Sequence, residues 1–257
     1  MVQRLSLRVK LATTSRLSGV GADRYADTDA SSILRLKGTD NAKLATSDGK
    51  TDSLKRLWGV AGIVGPIVGL AATSIAAHAY PQFSWTNPTQ RVSDILFVSK
   101  SGPLMAGGLV ASGTMISGAA MALHRSLSEC NTHRIGSGLL IAGGVALGMV
   151  GLSQHGGLEY MHVPAAVSYF TLTTSSLLTL GAGFIMENTK RIAGTATTLA
   201  AAAALLLLTD MACSPSHMAM KEIVTSTLLG TGISLVSTRL FSDRDNSMQN
   251  SSTLLRK

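Results

Sequence analysis

Long apolar runs alternate with short polar connections from residue 57 onward. A helix crosses a hydrocarbon core of about 30 Å with about 20 residues, and six runs reach that length. The gaps between the last five runs are short, so consecutive helices are expected to lie antiparallel. The runs occupy residues 57–80, 103–124, 135–155, 163–186, 192–210 and 218–238. The pattern predicts an all-α fold: a polytopic membrane protein with a six-transmembrane-helix antiparallel bundle.

Polar segments flank this predicted domain of residues 57–238, with a C-terminal tail over 239–257. Residues 1–56 interleave charged and hydroxyl side chains with few aromatics, so they are expected to form a polar N-terminal extension that does not fold alone. Its residues 1–22 carry basic and hydroxyl side chains but no acidic residue. That composition is typical of an organellar transit segment. A basic cytoplasmic tail attracted to anionic lipid is the alternative.

Composition supports a membrane protein, because 46% of residues are hydrophobic and 14% are charged, against about 25% charged in soluble domains. Aromatic residues make up 4%, and there are 26 glycines, which favours thin, closely packed helices. Glycines recur every three or four residues in the first run, at Gly59, Gly62, Gly65 and Gly69. This face is predicted to contact helices of the same chain or another subunit.

The basic residues indicate an orientation. With the N-terminus on the matrix or cytoplasmic side, all but three of the 22 lysines and arginines fall on that side, the exceptions being Arg91, Lys100 and Lys221. The positive-inside rule therefore places both termini there. The net charge of +8 is spread over tails and loops, whereas nucleic-acid binding needs a basic patch on one soluble face. Nucleic acid is thus not expected as a partner.

Eight ionisable residues are expected at the outer end of the bundle: His78, Asp94, His155, Glu159, His162, Asp210, His217 and Glu222. Such groups near hydrocarbon are paired, hydrated or functional. Histidines and carboxylates are zinc ligands, but no HExxH or CxxC spacing occurs, and interfacial hydrogen bonding is the alternative. Haem ligation is not expected either, since these histidines crowd one side. The sequence therefore predicts no catalytic residue, metal or cofactor and leaves this group as the candidate site.

The stretch "RVSDILFV", residues 91–98, lies between the first two runs. Ser93 is predicted to cap a short surface-lying helix. Its apolar residues, Val92, Ile95, Leu96 and Val98, are expected to face lipid or the bundle. The stretch thus forms a predicted lid on the outer end.

A family resemblance follows from three pieces of sequence. "YPQFSWTNPTQRVSDILFVSKSGPLMAGGLVASG", residues 80–113, resembles the first outer loop of the DRAM-like six-helix membrane family and of related uncharacterised bacterial six-helix proteins. "HVPAAVSYF", residues 162–170, is similar to that family's fourth helix, and Glu222 to an acidic residue beginning its sixth. The resemblance covers about residues 57–238 and implies membrane residence, with mostly non-enzymatic roles in autophagy regulation or lipid organisation.

Three functions are open at this point. The first is a non-catalytic accessory or structural subunit of a larger membrane complex in the mitochondrial inner membrane, with membrane lipids and other subunits as partners. The second is a stand-alone DRAM-like protein that binds or organises lipid, which needs a lipid-sized cavity near Asp94, Glu159 and Glu222. The third is a metal-dependent lipid hydrolase that uses the outer histidines and carboxylates. Non-catalytic function is the expectation.

Overall fold

The computed structural model describes residues 30–127, 130–154, 158–187 and 191–241, with side chains from residue 53 onward. The predicted transit-like segment and most of the C-terminal tail lie outside these ranges. The chain divides into two compact units, Met1–Ser47 and Asp48–Lys257, and the second contains the bundle. The domain bounds derived from the sequence stay predictions.

Six α-helices account for most of the described chain. Each contains a stretch long and apolar enough to cross a membrane, and in the first this stretch is Ser53–His78. The predicted all-α, six-helix fold is confirmed, and it indicates an integral multi-pass membrane protein. The helices are α1 (Ala30–His78), α2 (Gly102–Ser126), α3 (Asn131–Leu152), α4 (His162–Met186), α5 (Arg191–Cys213) and α6 (Met218–Ser237).

Neighbours along the chain are neighbours in space from α2 to α6, and α4 also contacts α6. Between 44% and 50% of the apolar window is buried in five of the helices, but only 22% in α5. Helix α5 therefore lies at the periphery, with most of its apolar surface facing outward. The other five helices surround the interior of the bundle.

Glycines bring α1 close to α2 and α6. A methyl group added at Gly62 would lie 2.7 Å from Ser237 Cβ and 2.9 Å from Ala119 Cβ. One added at Gly69 would lie 3.1 Å from Ser112 Cβ. These glycines thus face helices of the same chain, the first of the two predicted alternatives. Close backbone approach supplies dispersion contact where lipid offers little hydrophobic driving force.

The two ends of the bundle are named here by the helices that end there. Helices α1, α3 and α5 end at the lid end, and helices α2, α4 and α6 end at the basic end. Both cysteines are free and exposed. Cys130 lies at the basic end, directly before α3, and Cys213 is the last residue of α5 at the lid end.

Candidate ligand cavity beneath the lid segment

A short 3-10 helix, Val92–Phe97, forms the centre of the connection between α1 and α2. Its first turn is closed by the Arg91 backbone N–H, which donates to Asp94 Oδ2 at 2.8 Å. The predicted Ser93 cap is wrong, because Arg91 occupies the capping position. The prediction that the apolar residues of this stretch face the bundle is confirmed for Val92, Ile95 and Leu96, which are buried.

The lid segment, residues 88–98, is fixed to the start of α6 by its backbone. The His217 N–H donates to Pro88 O at 3.0 Å, and the Ala219 N–H donates to Gln90 O at 3.1 Å. His217 has a positive φ of 54°, a conformation that turns the chain sharply into α6. The lid segment therefore lies across the first turn of α6.

Glu222 adds a side-chain link between the same two elements. Its Oε2 atom accepts hydrogen bonds from the backbone N–H groups of Val92 at 2.8 Å and Ser93 at 3.3 Å. These N–H groups belong to the first turn of the 3-10 helix, where donors lack partners within the helix. Among the described residues, Oε1 makes no hydrogen bond. One carboxylate oxygen is therefore left for a further donor.

A cavity of about 120 Å³ lies beneath the lid segment. Its lining comes from five helices and the lid segment, and none of it comes from α5. Apolar walls are formed by Leu109, Ile116, Leu147 and Val150 among others. The polar lining side chains are Thr73, Ser93, Ser112, His162, Tyr169, Glu222 and Ser226.

His162, the first residue of α4, is held in one orientation. It is 8% exposed, and its Nδ1 lies 3.0 Å from Ser153 Oγ. The Ser153 hydroxyl has one hydrogen, which it donates to Val150 O at 2.6 Å. The Nδ1–H group of a neutral ring therefore donates to Ser153, which leaves the Nε2 lone pair as an acceptor. Phe97 packs edge-on against the ring, with centroids 5.3 Å apart.

The structure brings some of the eight sequence candidates together. Glu222 and His162 line the cavity, and Asp94 caps the 3-10 helix above it. The remaining described candidates do not line the cavity. Asp210 pairs instead with Lys221, with Oδ2 and Nζ 2.6 Å apart.

Three other candidates, His78, Glu159 and His217, are exposed at the lid end, and His155 lies outside the described residues. Among the residues that the structure does describe, no three histidines, cysteines or carboxylates lie close enough together to hold a metal ion. The functional role of the eight candidates stays a prediction.

Sequence reasoning missed two features. The first is Tyr169, which lines the cavity and is 7% exposed. It lies seven residues after His162, two helical turns along α4, so both residues are on one face of the helix. That spacing was the signal in the sequence.

The second is a cluster at the basic end. The Arg239 Nη2 atom donates to Glu187 Oε2 at 2.8 Å, and His133 Nδ1 lies 3.3 Å from Glu187 Oε1. The Arg239 guanidinium also lies 5.1 Å from the Phe184 ring centroid, a cation–π contact.

Comparison with known proteins gives one family match. The model described as "Protein of unknown function (DUF998)" matches residues 63–233, about two thirds of the 257 residues. The matched region runs from α1 into α6 and includes Glu222 and His162. No curated protein and no solved structure matches the chain. The match has no feature specific to DRAM-like proteins, so only membership of an uncharacterised family is supported.

Proposed function

The chain belongs to the DUF998 family of proteins of unknown function, and we propose that it is a non-catalytic membrane protein that binds the polar end of a lipid or lipid-like amphiphile beneath the lid segment. The observation that carries this proposal is the cavity. It combines apolar walls with two ionisable side chains, Glu222 and His162, inside a bundle of helices that are apolar enough to cross a membrane.

The ionisable side chains of the cavity lie near one end of the bundle. Glu222 lies four residues into α6, or about 6 Å along its axis. Ile116 lies fourteen residues into α2, or about 21 Å from the same end of the bundle. The two ionisable lining side chains, Glu222 and His162, are thus near the lid end, whereas apolar residues line the cavity at every depth and the deeper polar groups are hydroxyls. An amphiphile with its polar head at the lid end would place that head beside the ionisable pair.

The volume limits what enters. An apolar cavity of about 150 Å³ holds benzene, so the 120 Å³ found here accommodates a head group or part of one chain. A whole phospholipid is too large. We infer that the remainder of such a molecule stays in the bilayer.

A non-catalytic role is part of this proposal. Glu222 and His162 are each engaged in structural hydrogen bonds, to the lid backbone and to Ser153. They make no hydrogen bond to each other among the described residues. Their arrangement fits binding and positioning better than proton transfer between them.

A second proposal is the accessory or structural subunit of a larger complex in the mitochondrial inner membrane, with both termini on the matrix side. Its support is the transit-like composition of residues 1–22 and the outward face of α5, where Ile192, Leu199 and Leu206 are exposed. A partner helix would cover that face. The glycines of α1 do not support it, because they already contact α2 and α6.

Lipid analysis of three purified full-length proteins tests the first proposal. Ala166 lines the cavity, and Ala166→Leu fills part of it, whereas Ala71 is exposed on α1, so Ala71→Leu is the matched control. We expect wild type and Ala71→Leu to retain a defined lipid through mild-detergent purification, and Ala166→Leu to lose it. Equal lipid content in all three would contradict the proposal.

Native electrophoresis in mild detergent tests the second proposal. Migration within a large assembly that contains other subunits would support it. Migration as a small isolated species would contradict it and would leave the first proposal unaffected.

A further inference from the structure

The cavity contains one acidic side chain and no basic one. Glu222 is the only carboxylate among the described lining residues, and none of them is lysine or arginine. The nearest lysine in sequence, Lys221, is occupied by Asp210 at 2.6 Å and by Ser214 O at 2.7 Å. Arg91 and Asp94 of the lid segment carry opposite charges, are exposed and do not line the cavity. The negative charge of Glu222 is therefore without a side-chain counterion in the cavity.

The hydrogen-bond donors of Glu222 do not balance the negative charge of its carboxylate, because they carry no net charge. Both donors are backbone N–H groups, and both reach Oε2. The Oε1 atom has no hydrogen-bond partner among the described residues. Glu222 is partly buried, and a charge partly withdrawn from water is stabilised by an opposite charge that satisfies its remaining lone pairs. A cationic donor at Oε1 would therefore stabilise the carboxylate.

From this we infer that the cavity selects amphiphiles whose polar end is a protonated amine, held by an ion pair with Glu222. The inference rests on the proposed function. An ammonium group has three N–H donors and no acceptor. The cavity offers it Glu222 Oε1, the lone pair of the His162 ring, and the hydroxyl of Ser226 or Tyr169.

An anionic head group fits this cavity poorly. Phosphate and carboxylate oxygens are bound by arginine, lysine or arrays of backbone N–H groups. No arginine or lysine lines the described cavity, and the two backbone N–H groups of the lid segment already donate to Glu222. An anionic group would also face the Glu222 carboxylate at short range.

Three six-carbon probes of different charge test the selection: hexylamine, hexan-1-ol and hexanoate. Their affinities are measured by thermal unfolding of the full-length protein in a non-ionic detergent. We expect hexylamine to bind wild type about tenfold more tightly than hexan-1-ol, the size of one charge-assisted hydrogen bond. Hexanoate is expected to bind most weakly of the three.

Two glutamine variants assign the preference to one carboxylate. Glu222→Gln keeps an oxygen for the lid N–H groups and removes the charge, and we expect it to bind hexylamine no better than hexan-1-ol. Glu159 is exposed at the same end outside the cavity, so Glu159→Gln should keep the full preference. The wild-type comparison decides the inference even if Glu222→Gln does not fold.

The amine has two possible sources, a membrane lipid or a free organic amine. Native mass spectrometry with phosphatidylethanolamine and phosphatidylglycerol separates them. Retention of phosphatidylethanolamine over phosphatidylglycerol supports the lipid source, whereas hexylamine selection without it supports a free amine. Equal affinity of wild type for hexylamine and hexan-1-ol overturns the amine inference and leaves cavity binding intact. Absence of any bound probe or lipid overturns both.

Discussion

Replacing Gly108 by alanine tests the close contact between α1 and α2. The added methyl group would overlap the Cβ atom of Ala72, which is fixed to the α1 backbone, so the two helices must move apart. Overpacking of this kind costs about 1–3 kcal/mol. The substitution also raises helix propensity, by about 1 kcal/mol or less. These two effects oppose each other, so the change in the free energy of unfolding of Gly108→Ala does not by itself measure the contact.

The preceding residue gives the matched control. A methyl group added at Gly107 meets no atom within 4 Å, so Gly107→Ala carries the propensity gain alone. The gain cancels between the two variants, and we expect Gly108→Ala to be less stable than Gly107→Ala by about 1–3 kcal/mol. Reversible unfolding in mixed micelles measures this free-energy difference. Equal free energies of unfolding for the two variants would refute the contact.

Two further substitutions test the ends of the bundle. Glu187→Gln removes the ion pair with Arg239. Because solvent partly screens Glu187, we expect the free energy of unfolding to fall by only about 1 kcal/mol. An unchanged denaturation midpoint would show that this ion pair does not stabilise the protein. Glu222→Ala should speed hydrogen exchange at the Val92 and Ser93 amides by about tenfold, since both lose their acceptor. Mass spectrometry of the lid segment measures this rate, and full protection in the variant would contradict the link.

The helices were predictable because their signal is local. Length and hydropathy locate each apolar run, and the observed ends differ from the predicted ones by a few residues in α2 to α6. The predicted fifth run ends at Asp210, but α5 continues to Cys213. The carboxylate of Asp210 is tolerated there because Lys221, from the next helix, pairs with it. No local pattern contains that contact.

The site was predictable only in part for the same reason. Glu222 and His162 were singled out as ionisable groups at a helix end, but their common cavity depends on five helices. The Ser93 cap failed because Arg91 takes the capping position and Asp94 closes the first turn; the link from the Ser93 N–H to Glu222, 129 residues away, could not be read from local sequence either. The cluster at the basic end joins α3 to residues that follow α4 and α6, so spacing along the chain gave no signal for it.

The six apolar helices are expected to cross the bilayer in alternating directions. Three of them separate Cys130 from Cys213, so these exposed thiols should lie on opposite faces. The backbone N–H groups of His133 and Thr132 lower the pKa of the Cys130 thiol, which favours its reactive thiolate.

Labelling of the two single-thiol variants, Cys130→Ser and Cys213→Ser, is the most direct test. A membrane-impermeant maleimide is applied to sealed vesicles of uniform orientation. We expect one variant to be modified in intact vesicles and the other only after detergent opens them. Modification of both variants in intact vesicles would contradict the alternating crossing of the helices.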